Sequence, residues 1–319
     1  MQTTIITTPR LVNTVLGPIS YDMLGITDAH NHVWIDSIPG AHPESPILNL
    51  FDPILAELTN YRNSGGGSIL DCQPGGCGRD GNTLIRLSKR SKINIIASTG
   101  FHRKKYYPSE YWLFNASKEK AAEYFIAELT TDMEETNNAP QPALAGFIKI
   151  ALEDRWSDCP QNLLKAVAEA ARQTRAIIEI HTEKGTWAER TVVYFEALGI
   201  TPSQLVLCHM DKRPDFALHT ELASNGLMLE YDTFSRPKYD PENNLWPLIQ
   251  KMVEAGLGSQ ITLATDMASW EMYKSIGKGP GLASLPCQIK TRLLQMGIHE
   301  NITRQLLGEN IAQRLAGLK

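Results

Sequence analysis

No stretch of apolar residues is long enough to span a bilayer, which takes about 20 in a row, so no membrane partner is expected. Cysteine is sparse: Cys72, Cys77, Cys159, Cys208 and Cys287 make an odd five without a CxxC pair. That count argues against a disulfide framework and a zinc knuckle, and it suits a reducing cytoplasm. The opening run "MQTTIITTPRLVNTV" has neither an apolar core nor a basic cluster, so no signal peptide is expected. Positive charge is not in excess. The 31 Lys and Arg face 35 Asp and Glu, a net charge of -4 that offers no field for nucleic acid. Low-complexity tracts are absent, and no Gly-rich phosphate turn follows the first strand-like run.

What the chain does have is 319 residues, 42% of them hydrophobic, enough for one large core. Short β-rich runs recur at 26–33, 68–74, 93–100, 146–152, 176–183, 205–211, 227–233 and 261–268. Amphipathic stretches separate most of them. "PQNLLKAVAEAARQT" spaces Leu163, Leu164, Val167, Ala170 and Ala171 as one helix face. "ERTVVYFEALG" and "NLWPLIQKMVEAG" end on Gly199 and Gly256, natural helix terminators. "SGGGS" at 64–68 reads as a helix-to-strand turn, and the aromatic, basic segment 101–118 as a functional loop. Eight strands alternating with helices predict a single-domain α/β chain, a (β/α)8 TIM barrel. A doubly wound open sheet is the runner-up. Residues 1–25 are expected to form an N-terminal hairpin and 301–319 a closing helix.

A barrel of this kind builds its active site at the C-terminal strand ends. His30 and His32 stand there on the first strand, Lys149 on the fourth, His181 on the fifth, His209 on the sixth and Asp266 on the eighth. Residues two apart on a strand share a face, so "HNH" can aim both imidazoles at one metal. An HxH alone is weak, because a histidine can simply satisfy a backbone carbonyl. Its recurrence with histidine or carboxylate at three further strand ends is harder to reconcile with packing, since each neutral ring carries two polar nitrogens needing partners. Lys149 is the odd member. It either snorkels or pairs with Glu153 or Asp154, or it is a desolvated amine that has captured CO2 as a carbamate able to bridge two cations. Asp266 alternatively caps a helix before "MASWEMY".

The order HxH, Lys, His, His, Asp on successive strand ends resembles the phosphotriesterase family of the amidohydrolase superfamily. "VNTVLGPIS", "GRD" at 78–80, "ASTGFH" at 97–102 and "LLGENIAQRL" fall where that family has similar segments. The likeness covers nearly the whole chain. "TGFHRKKYYPSEYW", "HTEKGT", "CHMDKRPD" and "GKGPGLA" look closest to its lactonase-like branch. The resemblance implies two divalent cations, zinc or else manganese or cobalt. His30, His32 and Asp266 would hold the more buried one, His181 and His209 the more exposed one, with Lys149 bridging them as its carbamate. It implies a hydrolase in which hydroxide held between the cations opens a lactone and Asp266 shuttles the proton. Asn31 stands where many members have Glu and is expected to face away from the metals.

Basic residues cluster past the strand ends: Arg103, Lys104 and Lys105, then Lys212 and Arg213, then Arg236 and Lys238, then Lys278. Each alone reads as a solvated loop charge. Together they suggest an anion site, with Gly279 and Gly281 permitting close backbone approach and Tyr106, Tyr107 and Tyr239 offering hydroxyls. The expected substrate-binding set is His102, Lys104, Tyr107, Lys212, Arg213, Arg236, Lys238 and Lys278, and the expected substrate a phosphorylated sugar lactone. The alternatives are a hydrolase of phosphotriesters, other esters or amides, and a non-catalytic metal-binding barrel. Glu183 and Asp211 are expected either to orient ligands or to pair with Lys184 and Lys212. Cys208 is expected to face outward, and His42, His219 and His299 to lie on the surface or in loops. A homodimer is expected.

Overall fold

The computed structural model describes residues 10–317; the first nine residues of the expected hairpin segment and the last two of the expected closing helix lie outside it. An antiparallel hairpin, β1 (Leu11–Thr14) and β2 (Gly17–Ser20), leads into eight parallel strands. These are β3 (Ile26–Asn31), β4 (Gly66–Asp71), β5 (Asn94–Phe101), β6 (Phe147–Ala151), β7 (Ile178–His181), β8 (Leu205–Cys208), β9 (Met228–Tyr231) and β10 (Ile261–Leu263). They neighbour one another in chain order from β3 to β10. The doubly wound alternative would require a reversal of that order. The seam between β10 and β3 is closed just past the strands. Asp266 N–H donates to the His30 carbonyl at 3.0 Å, and the Thr265 N–H donates to Asp28 Oδ1 at 3.1 Å.

A helix follows each strand: α1 (Phe51–Asn63), α2 (Gly81–Ser91), α3 (Lys118–Thr130), α4 (Gln161–Thr174), α5 (Ala188–Ala197), α6 (Phe216–Ser224), α7 (Leu245–Glu254) and α8 (Lys290–Gln295). Local chemistry sets their ends. The Asp80 carboxylate accepts the N–H groups of Asn82 and Thr83 at the start of α2, and Ser117 caps α3. In α4 the expected face Leu163, Leu164, Val167, Ala170 and Ala171 is fully buried. Gly199 and Gly256 follow α5 and α7 with positive φ, as helix terminators do. Among the described residues no helix is long and apolar enough to cross a membrane.

Two layers of core result. The larger lies between strands and helices. The smaller fills the barrel with Leu70, Cys72, Ile96, Phe147, Ile177, Val206, Met228 and Ala264, and Val12, Leu24 and Ile311 are packed with it. The expected closing helix is not one helix. It is split into α9 (Glu300–Arg304), a π-helical turn over Gln305–Glu309, and α10 (Asn310–Leu315). Gly308 causes the break: its φ of 158° goes with close approach to the Gly25 carbonyl and Thr27 N–H, where a Cβ would collide. Every ladder but that of β5, which runs one residue past its expected end to Phe101, stops short of the expected strand end. His32, His209, Asp232 and Asp266 lie just beyond these ends, and His30, Lys149 and His181 within the strands.

Candidate metal centre

Strand alternation aims a column of side chains from β6 to β9 into the barrel. Above the apolar Phe147, Ile177, Val206 and Met228 come Lys149, Glu179, Cys208 and Glu230, all fully buried. Two residues further along come His181, at the end of β7, and Asp232, just past β9. Cys208 therefore points inward, contrary to the outward orientation expected from its place beside His209. His209 adopts a left-handed φ of 61°, which breaks the alternation and returns its ring to the mouth. The Cys208 thiol lies 3.3 Å from Lys149 Nζ.

Two groups of ligand atoms converge. Asp266 Oδ1 is 3.8 Å from His30 Nε2 and 3.7 Å from His32 Nε2. His181 Nδ1 is 2.9 Å from His209 Nε2. The rings of His30 and His209 stand 4.6 Å apart, centroid to centroid, so the groups adjoin. Asp266 carries a φ of 44°, an uncommon conformation outside glycine that is held by its N–H bond to His30. Burial pushes the pKa values of His30 and His181 well down and lowers that of His32, so these rings are neutral and present lone pairs.

The distal ring nitrogens are held too. His209 Nδ1 meets the buried Asp232 carboxylate, and His32 Nδ1 meets Gln73 Oε1 at 2.8 Å. His30 Nδ1 lies 3.5 Å from Glu179 Oε1 and 3.7 Å from Glu230 Oε2. Burial works against the Asp232 carboxylate, but His209, Lys212 and Arg236 outweigh it and keep it below the usual range. Partners of this kind on the second nitrogen are what a metal-ligating histidine requires. The donor set thus fits divalent cations of borderline character: neutral imidazoles, one carboxylate, and carboxylate oxygens of Glu179, Glu230 and Asp232 left without hydrogen-bond partners.

Lys149 neither snorkels nor pairs with Glu153 or Asp154. Asp154 binds Arg103, and Glu153 accepts the Lys104 N–H. Burial lowers the affinity of the Lys149 amine for its proton, while Cys208, Cys72 and Glu179 raise it and prevail. Burial pushes both thiols well above the usual range, so they are uncharged, and burial raises Glu179 as well. Among the described residues Lys149 is in no ion pair, an uncommon state for a fully buried lysine. Gly100 on β5, with φ of 115°, lets that strand close onto the Lys149 carbonyl, where any Cβ would clash.

Asn31 faces away from the ligands. Its amide donates to Asp28 Oδ2 at 2.9 Å and Thr265 Oγ1 at 2.8 Å, tying β3 to the end of β10. Asp211 accepts the N–H groups of Asp232 and Thr233 and so fixes the end of β9. Glu183 lies 3.9 Å from Lys212. His219, expected in a loop or on the surface, is buried on α6 and hydrogen-bonds the Tyr231 hydroxyl at 2.7 Å. An apolar helix face recruited it because Tyr231 supplies a partner. His299 caps α9, and His42 lies in the loop after β3.

A cleft of about 250 Å³ opens over His32, His181, His209 and Asp266. One wall is the 35–47 loop with Ile35, Ile38 and Ile47; His102 and Tyr106 stand on another. Of the expected substrate-binding residues, the structure brings His102, Lys212 and Arg236 to the ligands. Arg236 Nη2 donates to Asp266 Oδ2 at 2.6 Å. The positive charge of Lys212 is felt by Asp232 and Asp266. Tyr107 is buried beneath, stacked on Tyr111, and its hydroxyl accepts the His102 N–H at 2.9 Å, so it supports the cleft from behind. Arg213 pairs with Asp215, and Lys104, Lys238 and Lys278 are exposed; of the expected set only His102 lines the cleft itself, Arg236 reaching it through Asp266. Sequence reading missed Gln73, Glu179, Glu230 and Asp232. The last three carried a signal, since each precedes or follows another site residue by two on one strand.

The family model of the phosphotriesterase family matches residues 10–315. A phospho-furanose lactonase of Mycoplasmopsis synoviae is 30% identical over 327 residues, covering 96% of this chain and 92% of that one. The human N-acetyltaurine hydrolase is 25% identical over 347 residues, covering 95% and 97%. Among solved structures, a lactonase from Listeria monocytogenes superposes with a TM-score of 0.87 at 24% identity, covering 97% of this chain and 99% of that one. With a family match of that extent, the chain belongs to the phosphotriesterase family, a family of metal-dependent hydrolases.

Proposed function

We propose that this enzyme opens an anionic lactone, with a phosphorylated sugar lactone as its preferred substrate. The observation that carries the reading is Arg236 bonded to Asp266, with the half-buried Lys212 near enough for its charge to act with Asp232 and Asp266, while the other loop cations are exposed or paired elsewhere. The similarity to a phospho-furanose lactonase supports it.

His30, His32 and Asp266 would hold one divalent cation and His181 and His209 the other, with Lys149 joining them as its carbamate. Such a pair supplies a nucleophile derived from water at neutral pH and polarises the carbonyl under attack. The chain does the rest. Asp266 accepts the proton of the attacking water and delivers it to the departing alkoxide, a general acid–base role. Arg236 fixes the orientation of that carboxylate through Oδ2 and the Asp266 carbonyl, leaving Oδ1 toward the histidines. Lys212 and the part of the Arg236 guanidinium that Asp266 does not engage would bind the phosphate. His102 has its Nδ1 occupied by the Arg103 N–H at 2.8 Å, and burial keeps the ring neutral, so Nε2 carries the proton and donates into the cleft. That donor would take a substrate hydroxyl or carbonyl oxygen.

The test is a screen of the metal-loaded enzyme against a lactone panel with phosphorylated and unphosphorylated sugar lactones, an N-acyl amide and a phosphotriester. Preference for the phosphorylated lactone is expected. Equal turnover of the phosphorylated and unphosphorylated forms would remove the anion site, and turnover of only the amide or phosphotriester would remove the lactonase reading.

A further inference from the structure

The turn after β4, "DCQPGGCGRD", places Gln73 against His32 and leaves little of it exposed to solvent. Its side-chain amide touches two groups of opposite demand. Nε2 meets the Cys77 carbonyl oxygen and lies 3.2 Å from the Cys77 thiol, while Oε1 lies 2.8 Å from His32 Nδ1. An amide is ordinarily free to be turned over, because its oxygen and nitrogen are alike in shape. Here it is not. Turning it would press one carbonyl oxygen onto another, since the Cys77 carbonyl can only accept. The Cys77 thiol does not relax this constraint, because it donates to the Pro74 carbonyl at 3.2 Å.

With the amide fixed, its oxygen faces His32 Nδ1, so that nitrogen must carry the hydrogen. A neutral imidazole has one proton to place. Nε2, the nitrogen that faces Asp266 Oδ1 at 3.7 Å, is then left with its lone pair free. The ring is held at its backbone as well: the His32 N–H donates to Asn31 Oδ1 at 2.9 Å and its carbonyl accepts from the Tyr273 hydroxyl at 2.9 Å. We infer that Gln73 is a positioning residue that locks His32 in the Nδ1–H tautomer, and that the Cys77 carbonyl sets that lock by fixing the amide. The choice of a neutral amide matters. Asp232 on His209 brings a charge, whereas Gln73 orients His32 without adding an anion beside Asp266.

This inference rests on the proposed role of His32 as a metal ligand but not on the identity of the substrate. The experiment compares wild type with Gln73→Leu and Gln73→Glu. The first readout is the ring ¹⁵N spectrum of His32 in metal-stripped protein, assigned with His32→Gln. Wild type should show a protonated Nδ1. Gln73→Leu should shift His32 toward the Nε2–H form. Gln73→Glu, protonated on the oxygen that then donates to the Cys77 carbonyl, still accepts from Nδ1 and should keep the wild-type form. The second readout is zinc affinity by titration, where loss of such a partner typically costs about 10- to 100-fold; that loss is expected for Gln73→Leu. Gln73→Met, close in shape and only a weak acceptor, serves in place of Gln73→Leu should the latter not fold. An unchanged His32 spectrum in the Leu or Met variant overturns the lock. So does a wild-type zinc affinity in either. If no lactone is turned over yet the tautomer shifts as described, the substrate reading fails and the role of Gln73 stands.

Discussion

Replacing Lys212 with methionine tests the anion site with the least disturbance to the chemistry. Methionine keeps most of the aliphatic stem and removes only the charge. Lys212 is well placed for this: its side chain is 8% exposed, with Nζ 3.9 Å from Glu183 and 5.8 Å from the centre of the Tyr239 ring. Burial pulls its pKa down, but Asp232, Asp266 and Glu183 outweigh that and raise it, so it is an ammonium at neutral pH. A hydrogen bond to a charged group contributes about 1.5–3 kcal/mol. At about 1.4 kcal/mol per decade, its loss should lower kcat/KM for a phosphorylated lactone by roughly 10- to 150-fold. The removed charge is also felt by Asp232 and Asp266, so some effect on any substrate is expected. The informative quantity is therefore the ratio of kcat/KM for a phosphorylated lactone to that for its unphosphorylated counterpart. Wild type and Lys212→Met should differ in that ratio by most of the predicted factor. An unchanged ratio would refute phosphate binding by Lys212. Arg236 is the poorer choice, because it is bonded to Asp266 and its loss should slow both lactones.

Asp266→Asn should keep the fold and lower turnover by about a hundred- to ten-thousand-fold, because the amide cannot take the proton; wild-type turnover would remove Asp266 from proton transfer. Elemental analysis of protein grown with zinc or manganese should find about two divalent cations per chain, and Lys149→Ala should lose one or both along with most activity, with partial rescue by short carboxylates. An unmodified lysine in the metal-loaded protein would rule out the carbamate. Arg79→Met should lower the denaturant midpoint, because it leaves the Glu128 carboxylate buried and unpaired, a cost of about 3–5 kcal/mol. In wild type the Arg79 guanidinium is shared between Glu128, Glu135 and the Ser98 carbonyl. An unchanged midpoint would mean that solvent reaches Glu128.

Much of the barrel was legible because strands buried on both faces are written as short β-branched runs, such as "SILD" and "AIIEI", and the helices between them keep a visible face. The convergence of His30, His32, His181, His209 and Asp266 was legible for a related reason. All are polar residues at the ends of apolar runs, where burial without a partner is costly. What the sequence hid depends on single dihedral angles and on turns. The left-handed φ of His209 turns its ring to the mouth even though Cys208 beside it already points inward, and the φ of Gly308 splits what reads as one closing helix. Gln73 reaches His32 only because the turn after β4 brings Cys77 back on it. The loop cations show the opposite failure. Lys104, Arg213, Lys238 and Lys278 read like Lys212 and Arg236, because charge in a sequence carries no direction.

The seam between β3 and β10 has a kinetic side. His30 and His32 lie near the start of the chain and Asp266 near its end, and the strands that carry them meet last, through Asp28, Asn31 and Thr265. A ribosome that has delivered the chain only through α7 has released every candidate ligand except Asp266, so a cation met at that stage finds an incomplete cage. Contacts of such long sequence separation form slowly. Once they form, a cation held by His30, His32 and Asp266 would act as a rivet across the join. Free metal at a hundredfold excess over its dissociation constant would add about 2.7 kcal/mol to the closed form. Stripping the metal should then loosen the barrel first at this stave, so amide exchange in β3 and β10 should quicken before that in β6 or β7.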